Sequence, residues 1–181
     1  MIYAGKRMNL RDGGELVLRA PVKEDASVLL DYLKTTAGET EYLIRYPEEV
    51  SMTLEDEEKY IENQRASEKD CTILAFVDGK HAGNCDIGVS SRKKTCHFAT
   101  LGIALTKEFW GRGIGSILMR EAIEIAREMG LHHIELEVFA PNTRAITLYE
   151  KMGFNIVATR PFAAKCKDGS YMSEHFMQLL L

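Results

Sequence analysis

The sequence contains no long hydrophobic run. No apolar segment approaches the ~20 residues that a helix needs to span a bilayer, and the first residues, MIYAGKRMNL, lack the apolar core of a secretion signal. We therefore expect a cytoplasmic protein without a membrane partner. No stretch rich in Pro, Gly or Ser divides the chain, and a length of 181 residues suits one domain with a full core. Residues 1–181 are accordingly predicted to form a single domain.

Positive charge is not in excess either. The formal net charge is −4 at pH 7, whereas a nucleic-acid partner requires a basic face. The one short basic cluster, Arg92 to Lys94, lies between two strand-like runs and is interpreted as a solvated hairpin loop. We therefore expect no nucleic-acid partner, and an anionic ligand would have to be bound by a local site and not by the overall charge of the protein.

Closely spaced metal ligands are missing as well. The four cysteines form no CxxC pair, and each lies in or beside an apolar strand-like run, which predicts small core residues in a reducing compartment. His132 and His133 are the only adjacent histidines, and neighbouring residues on a strand point to opposite faces. We expect no metal site.

What the sequence does contain is a regular succession of alternating and helical hydrophobic patterns. The predicted elements, in order, are a hairpin around residues 12–14, helices over 22–36 and 53–67, strands within 72–89 and over 97–105, a helix from 114 to 130, a strand over 132–140, a helix over 142–152, and strands over 154–160 and 170–180. This order predicts an α/β fold with a mixed sheet flanked by helices, in one domain.

A glycine-rich turn follows the strand over residues 97–105. The segment FWGRGIGS, residues 109–116, places Gly111, Gly113 and Gly115 directly before a helix. Glycines let the backbone approach an anion closely, and free N–H groups at a helix N-terminus bind phosphate. The dinucleotide motif G-x-G-x-x-G does not fit because Ser116 stands at its last glycine, and no Walker G-K-S/T triplet is present. The alternative is that the glycines serve only a steric role.

Two segments together resemble the GNAT superfamily of N-acetyltransferases. They are LGIALTKEFWGRGIGSILMREAI and, about thirty residues later, ELEVFAPNTRAITLYEKMGF, which resembles the family signature N-x-x-A-I-x-L-Y-x-K-x-G-F. The closing segment AAKCKDGSYMSEHFMQLL is similar to the C-terminal hairpin of members that acetylate small amines or amino acids. The resemblance implies a central mixed, mostly antiparallel sheet flanked by about four helices, and acetyl-CoA as the cosubstrate.

The resemblance also implies roles for individual residues. Tyr149 would lie beside the sulfur of the cosubstrate as the catalytic residue, although a core aromatic is the alternative. An amine attacks the thioester and a thiolate leaves, so the Tyr149 hydroxyl is expected to hydrogen-bond the developing thiolate. The residues implied to bind the cosubstrate are Ile103, Ala104 and Leu105 at the pantetheine arm, Gly111, Arg112, Gly113, Ile114, Gly115 and Ser116 at the pyrophosphate, and Asn142 near the thioester.

Two positions depart from the family pattern. Trp110 stands where the family usually has Gln or Arg, and Thr100 stands where it often has the Glu that accepts a proton. Threonine cannot act as a base, so the proton acceptor has to be sought elsewhere. The candidates are Glu135, Glu137, His97 and Glu41, or a chain of water molecules.

The segment around residues 42–46 lies where the family builds its acceptor pocket. Arg45, flanked by Tyr42 and Tyr46, would suit a carboxylate such as that of an amino acid, and a surface salt bridge is the alternative. The implied function is acetyl transfer to a primary amine of a small molecule. A protein N-terminal or lysine acetyltransferase and a CoA-binding module without turnover remain alternatives, and homodimers are common in the family.

Overall fold

The computed structural model describes every residue from Met1 to Leu181. The strands are β1 (Lys6–Asn9), β2 (Glu15–Arg19), β3 (Cys71–Val77), β4 (Lys80–Val89), β5 (Phe98–Leu105), β6 (His133–Phe139), β7 (Asn155–Lys165) and β8 (Tyr171–Leu180). The helices are α1 (Ala26–Glu39), α2 (Leu54–Ala66), α3 (Ile114–Glu128) and α4 (Thr143–Lys151).

One eight-stranded sheet organises the chain. Its strand order is β1-β2-β3-β4-β5-β6-β8-β7, and every neighbouring pair is antiparallel except β5 and β6. The β5–β6 pair is parallel because α3 carries the chain back across the sheet between them. The prediction of a mixed, mostly antiparallel sheet flanked by four helices is confirmed.

The sheet is covered by helices on both faces. Alternate strand residues such as Ile73 and Cys85 pack with the apolar stripe of α3 and with Tyr149 of α4 in the main core. Leu74, on the opposite face, packs with Leu29 of α1 and Ile61 of α2. We call these two sides the α3 face and the α1/α2 face.

Element boundaries follow local chemistry. Thr53 caps α2 at the start of the predicted helix over 53–67, since its hydroxyl accepts from the Asp56 N–H at 3.2 Å while Asp56 accepts from the Thr53 N–H at 3.0 Å. The strand β7 continues to residue 165, past Pro161, which the predicted end at 160 missed. Proline is tolerated there because β7 is an edge strand and its register shifts between Arg160 and Ala164.

The cysteine prediction is half wrong. Cys71 and Cys85 are buried core residues, but Cys96 is exposed and Cys166 is only partly buried. Cys96 lies in the loop between β4 and β5, and Cys166 in the turn between β7 and β8, so neither belongs to the apolar run beside it. The basic cluster from Arg92 to Lys94 is exposed in the same β4–β5 loop, as predicted. None of the helices is both long and apolar enough to cross a bilayer.

Candidate functional site

The sheet opens between β5 and β6. Their parallel pairing ends where Thr100 lies opposite Glu135. Beyond that point β5 pairs only with β4, and β6 pairs only with β8. The strands therefore splay apart and leave a cleft of about 720 Å³. Both strands line it, together with the turn before α3, the helix α4 and the segment that follows α1.

The strand β5 turns unpaired backbone groups toward this cleft. The Thr106 N–H donates to the Ala82 C=O at 3.0 Å, so even-numbered residues of β5 direct their backbone groups toward β4 and odd-numbered residues toward β6. Ile103 consequently directs its N–H and C=O into the cleft, where β6 no longer pairs with β5. Leu105 is oriented in the same way, but its C=O already accepts from Trp110 Nε1 at 2.7 Å.

Ala104 differs from its two neighbours. Its backbone faces β4, and its C=O also accepts from the buried Tyr32 hydroxyl at 2.9 Å. Of the three residues that the resemblance assigned to the pantetheine arm, Ile103 is therefore the one whose backbone donor and acceptor are both free. All three line the cleft.

The glycine turn is shaped for close approach. Gly111 and Gly113 have φ angles of 80° and 83°, in the left-handed region that glycine favours. The N–H groups of Ile114, Gly115 and Ser116 begin α3 and have no hydrogen-bond partner in the chain. All of these residues line the cleft. The turn therefore fits a phosphate group, because unpaired donors and the positive end of a helix meet there.

The three glycines do not serve one purpose. A Cβ added at Gly113 would meet no atom within 4 Å, whereas one added at Gly115 would lie 3.1 Å from Leu148 Cδ2. Gly115 thus allows α3 and α4 to pack closely, while Gly113 holds the left-handed turn open. A side chain is thus excluded at Gly115 by contact with α4, whereas Gly111 and Gly113 are favoured by the left-handed backbone of the turn.

Positive charge reaches the turn from a residue that the sequence analysis missed. The Arg144 guanidinium lies 4.6 Å from the centroid of the Trp110 ring, and both residues line the cleft. Arg112, by contrast, directs its Nε to Asp12 Oδ2 at 2.6 Å, outside the cleft. The signal for Arg144 was its place in the first turn of α4, where side chains point back toward the helix N-terminus.

Tyr149 and Asn142 place polar atoms at the α4 side of the cleft. Tyr149 is 7% exposed, and its hydroxyl has no hydrogen-bond partner within the chain although it lines the cleft. Burial raises the pKa of Tyr149 above its usual value, so the phenol keeps its proton. The Asn142 Oδ1 caps α4 by accepting from the Ala145 N–H at 3.2 Å, which leaves the Nδ2 of Asn142 free to donate.

The candidate proton acceptors are dispersed. Glu135 accepts from Gln178 Nε2 at 2.6 Å and lies 3.1 Å from His133 Nε2, outside the cleft. His97 and Glu41 are exposed and do not line the cleft either. Glu137 does line it, with one carboxylate oxygen 3.9 Å from Arg160.

Two further glutamates of the cleft escaped the sequence analysis: Glu39, which accepts from the Lys107 N–H at 2.6 Å, and Glu174. Glu174 of β8 is buried, lines the cleft and hydrogen-bonds Arg160. It is brought there by its register opposite Phe139 of β6, which no local pattern encodes. The single positive charge of Arg160 thus faces both Glu137 and Glu174 at this end of the cleft.

The acceptor-pocket candidates occupy the loop between α1 and α2. Tyr42 lines the cleft, whereas Arg45 and Tyr46 do not. Arg45 forms no ion pair, so the alternative interpretation of Arg45 as part of a surface salt bridge is wrong. The same loop is tied to the β7–β8 turn, because Lys167 Nζ lies 2.6 Å from Glu48 Oε1 and 4.1 Å from the Tyr46 ring centroid. No group of three or more His, Cys, Asp or Glu side chains is arranged to hold a metal ion.

Comparison with known proteins agrees with this geometry. Residues 36–154 match the model of the Acetyltransferase (GNAT) family. The chain is similar to the acetyltransferase of the GNAT family from Streptococcus pneumoniae, with 32% identity and a TM-score of 0.87 over 92% of this chain and 99% of that one. A putative acetyltransferase from Salmonella typhimurium, solved with its cofactor acetyl-CoA, shares the fold at 19% identity and a TM-score of 0.80, over 92% of this chain and 94% of that one.

A curated relative is the L-amino acid N-acetyltransferase AaaT of Escherichia coli (strain K12). It is 36% identical over 106 residues, which are 58% of this chain and 65% of that protein. The chain thus spans slightly less than two thirds of this relative's length. The matched family and the relatives named here are acetyltransferases.

Proposed function

We propose that this chain, which belongs to the Acetyltransferase (GNAT) family, is a single-domain, acetyl-CoA-dependent N-acetyltransferase that acetylates the primary amine of a small molecule, with amino acids as the acceptor class. One observation carries the proposal. The free backbone groups of Ile103, the glycine turn and the Tyr149 hydroxyl all line one cleft that opens where β5 and β6 separate.

The cleft offers a place for each part of the cosubstrate. Ile103 would hydrogen-bond the amides of the pantetheine arm as a strand edge does. The unpaired N–H groups that begin α3 would bind the pyrophosphate, and Arg144 would add positive charge to a chain whose net charge is −4. Trp110 takes the place of the usual polar side chain and holds Arg144 against its ring.

The chemistry requires a neutral amine and a stabilised leaving group. The amine nitrogen attacks the thioester carbon, the C–N bond forms, and the C–S bond breaks with its electron pair on sulfur. Transfer of a proton from a tyrosine of pKa ~10 to a thiolate of pKa ~8.5 is uphill by about 2 kcal/mol, and burial raises the pKa of Tyr149 further. Tyr149 therefore acts as a hydrogen-bond donor to the thiolate.

The acceptor side of the cleft favours a small molecule. The loop between α1 and α2 lines the cleft through Tyr42 and is tied to the β7–β8 turn by Lys167 and Glu48, so less of the mouth is open to a folded protein. Arg45 does not line the cleft, but it stands in this loop without an ion-pair partner and would suit a carboxylate. The named activity of the AaaT relative, on L-amino acids, supports the same class.

The test is release of free CoA thiol when acetyl-CoA is mixed with an amine panel. The panel contains amino acids, the matching amines without the carboxylate, and short peptides with a free N-terminus. We expect the amino acids to give the highest kcat/KM. Preference for the peptides would support the protein N-terminal alternative. Acetyl-CoA binding without thiol release for any amine would identify a module without turnover and contradict the proposal.

A further inference from the structure

A polar group that the chemistry above leaves unused lies on the α1/α2 face of the sheet. Asp86 of β4 accepts from Thr72 Oγ1 at 2.7 Å and from Asn84 Nδ2 at 2.6 Å. Its strand neighbours Cys85 and Ile87 are buried in the main core on the α3 face, so the Asp86 side chain points to the opposite face. Each carboxylate oxygen is thus held by a neutral donor.

Asp86 adjoins the cleft through Gly102. The two residues lie directly opposite each other in β4 and β5, with side-chain positions about 5 Å apart. Gly102 lines the cleft, and a Cβ added there would meet no atom within 4 Å. Gly102 therefore leaves open space beside Asp86 on the α1/α2 face. Asp86 is partly buried and borders this opening, although its own atoms do not line the cleft. The opening between β5 and β6 begins on the other side of β5, and its middle lies about 4.8 Å, one strand spacing, from β5.

A second carboxylate stands over the same region. Glu57 of α2 is 3% exposed, and its Oε2 is buried without any hydrogen-bond partner. Burial raises the pKa of Glu57, the Asp86 charge raises it further, and Arg45 lowers it. An unpartnered buried oxygen of this kind needs a donor, and the protonated amine of an acceptor would supply one.

The charged surroundings of Asp86 are specific. Burial raises the pKa of Asp86 to about 6, against the hydrogen bond from Thr72, which lowers it. The titratable groups that face it are Glu57 and Tyr60 from α2 and Tyr32 from α1, while Cys71 and Cys85 lie on the opposite face of the sheet. Arg45, from the loop between α1 and α2, acts on Glu57 and Tyr60. None of them forms an ion pair with Asp86. The carboxylate is therefore free to take a proton near neutral pH.

We propose that Asp86 is the catalytic proton acceptor for the substrate amine, in place of the glutamate that Thr100 replaces. The assignment rests on the proposed function. The protonated amine enters from the α1/α2 face over Gly102 and gives one proton to the Asp86 carboxylate, directly or through one water molecule. The neutral nitrogen then attacks the thioester carbon. Its second proton ends on the departing sulfur, and Asp86 returns its own proton to solvent.

The geometry separates the two proton-handling groups. Asp86 stands on the α1/α2 face, whereas Tyr149 belongs to the core on the α3 face. The amine is thus deprotonated on one side of the sheet opening, and the thiolate is stabilised on the other. The three glutamates that line the cleft are less suited to the role, because Glu137 and Glu174 face the charge of Arg160 and Glu39 already accepts from the Lys107 N–H at 2.6 Å.

The pH dependence of kcat/KM tests the assignment. With the best amine of the panel, wild-type kcat/KM is expected to fall below about pH 6, the pKa of Asp86. In Asp86→Asn only the neutral amine can react, so kcat/KM at pH 7 should drop about 10²–10⁴-fold. The pH below which kcat/KM falls, the break of the profile, should move up to the pKa of the amine itself, and the acetyl-CoA affinity should not change. Glu135→Gln, a carboxylate of the same sheet outside the cleft, should keep the wild-type profile.

A second variant does not depend on the folding of Asp86→Asn. Thr72→Val removes the hydrogen bond that lowers the pKa of Asp86, so its break should lie above that of the wild type. An active wild type whose break persists in Asp86→Asn, or does not move in Thr72→Val, would overturn the assignment alone. A wild type that binds acetyl-CoA but acetylates no amine would overturn the proposed function and this assignment with it.

Discussion

Replacing Tyr149 with phenylalanine removes one hydroxyl and keeps the ring that packs in the main core. The structure makes this substitution informative because the hydroxyl has no hydrogen-bond partner within the chain. No internal bond is lost, and a buried polar group without a partner is removed, so the free energy of unfolding should stay constant or rise by about 1 kcal/mol. Any loss of activity then reflects the reaction and not the fold.

The expected loss of activity can be worked out from the protonation state. Burial keeps the Tyr149 phenol protonated, which restricts it to donating a hydrogen bond to the thiolate. Hydrogen bonds to charged groups contribute ~1.5–3 kcal/mol, and each ~1.4 kcal/mol is a factor of ten in rate. The kcat of Tyr149→Phe should therefore fall about 10- to 100-fold, while acetyl-CoA affinity remains, because the interaction forms mainly in the transition state.

Tyr3→Phe provides the matched control. The Tyr3 hydroxyl donates to Glu121 Oε2 at 2.8 Å, away from the cleft, so its removal should lower the free energy of unfolding by about 1 kcal/mol and leave kcat unchanged. The assay is single-turnover acetylation, where chemistry limits the rate, combined with thermal unfolding. Wild-type kcat in Tyr149→Phe would refute the reasoning and leave Tyr149 as a core aromatic.

Three further substitutions probe other parts of the account. Gly113→Val and Gly130→Val both place a side chain at positive φ, at 83° and 68°, and each should lower the free energy of unfolding by ~1–2 kcal/mol. Only Gly113→Val should weaken acetyl-CoA binding in calorimetry, and equal weakening in both variants would contradict the phosphate role of the turn. Arg144→Ala should lower acetyl-CoA affinity about 5- to 30-fold, more at low salt than at high salt, whereas Arg127→Ala on the α3 surface should leave the affinity unchanged. If the affinity of neither variant depended on salt, Arg144 would not belong to the site. Folding raises the pKa of Asp86 from 3.8 to about 6, so the folded state binds more protons than the unfolded state between these values and the contribution of Asp86 to stability declines as pH rises. The free energy of unfolding of Asp86→Asn should therefore rise by about 3 kcal/mol relative to the wild type between pH 3 and pH 8, measured by chemical denaturation. A difference that does not change with pH would show that Asp86 titrates normally.

Much of the fold could be predicted from the sequence because its elements carry strong local signals. The helix predicted over 53–67, the glycine turn and the helix predicted from 114 each depend on residues within a few positions of one another, and all appear in the structure. The end of β7 was missed because Pro161 normally breaks a strand. Only the position of β7 at the sheet edge makes the proline tolerable.

The site was less predictable because its parts meet through register and packing. Which backbone groups of β5 are free depends on where its pairing with β6 ends, at Thr100 and Glu135. Glu174 enters the cleft through its pairing opposite Phe139, and Arg144 through its contact with Trp110. In the sequence Asp86 is one polar residue of a strand, and its proposed role rests on its position opposite Gly102 and on the open space there.

Binding of acetyl-CoA tests the central claim most directly, and the chain carries its own probe. Trp110 is the only tryptophan; it lines the cleft beside the glycine turn and stacks with Arg144. Titration with acetyl-CoA should change its emission with saturation and release heat in calorimetry, while NADH and ATP at equal concentration should do much less. An unchanged emission together with no heat of binding would contradict the assignment of this cleft to acetyl-CoA.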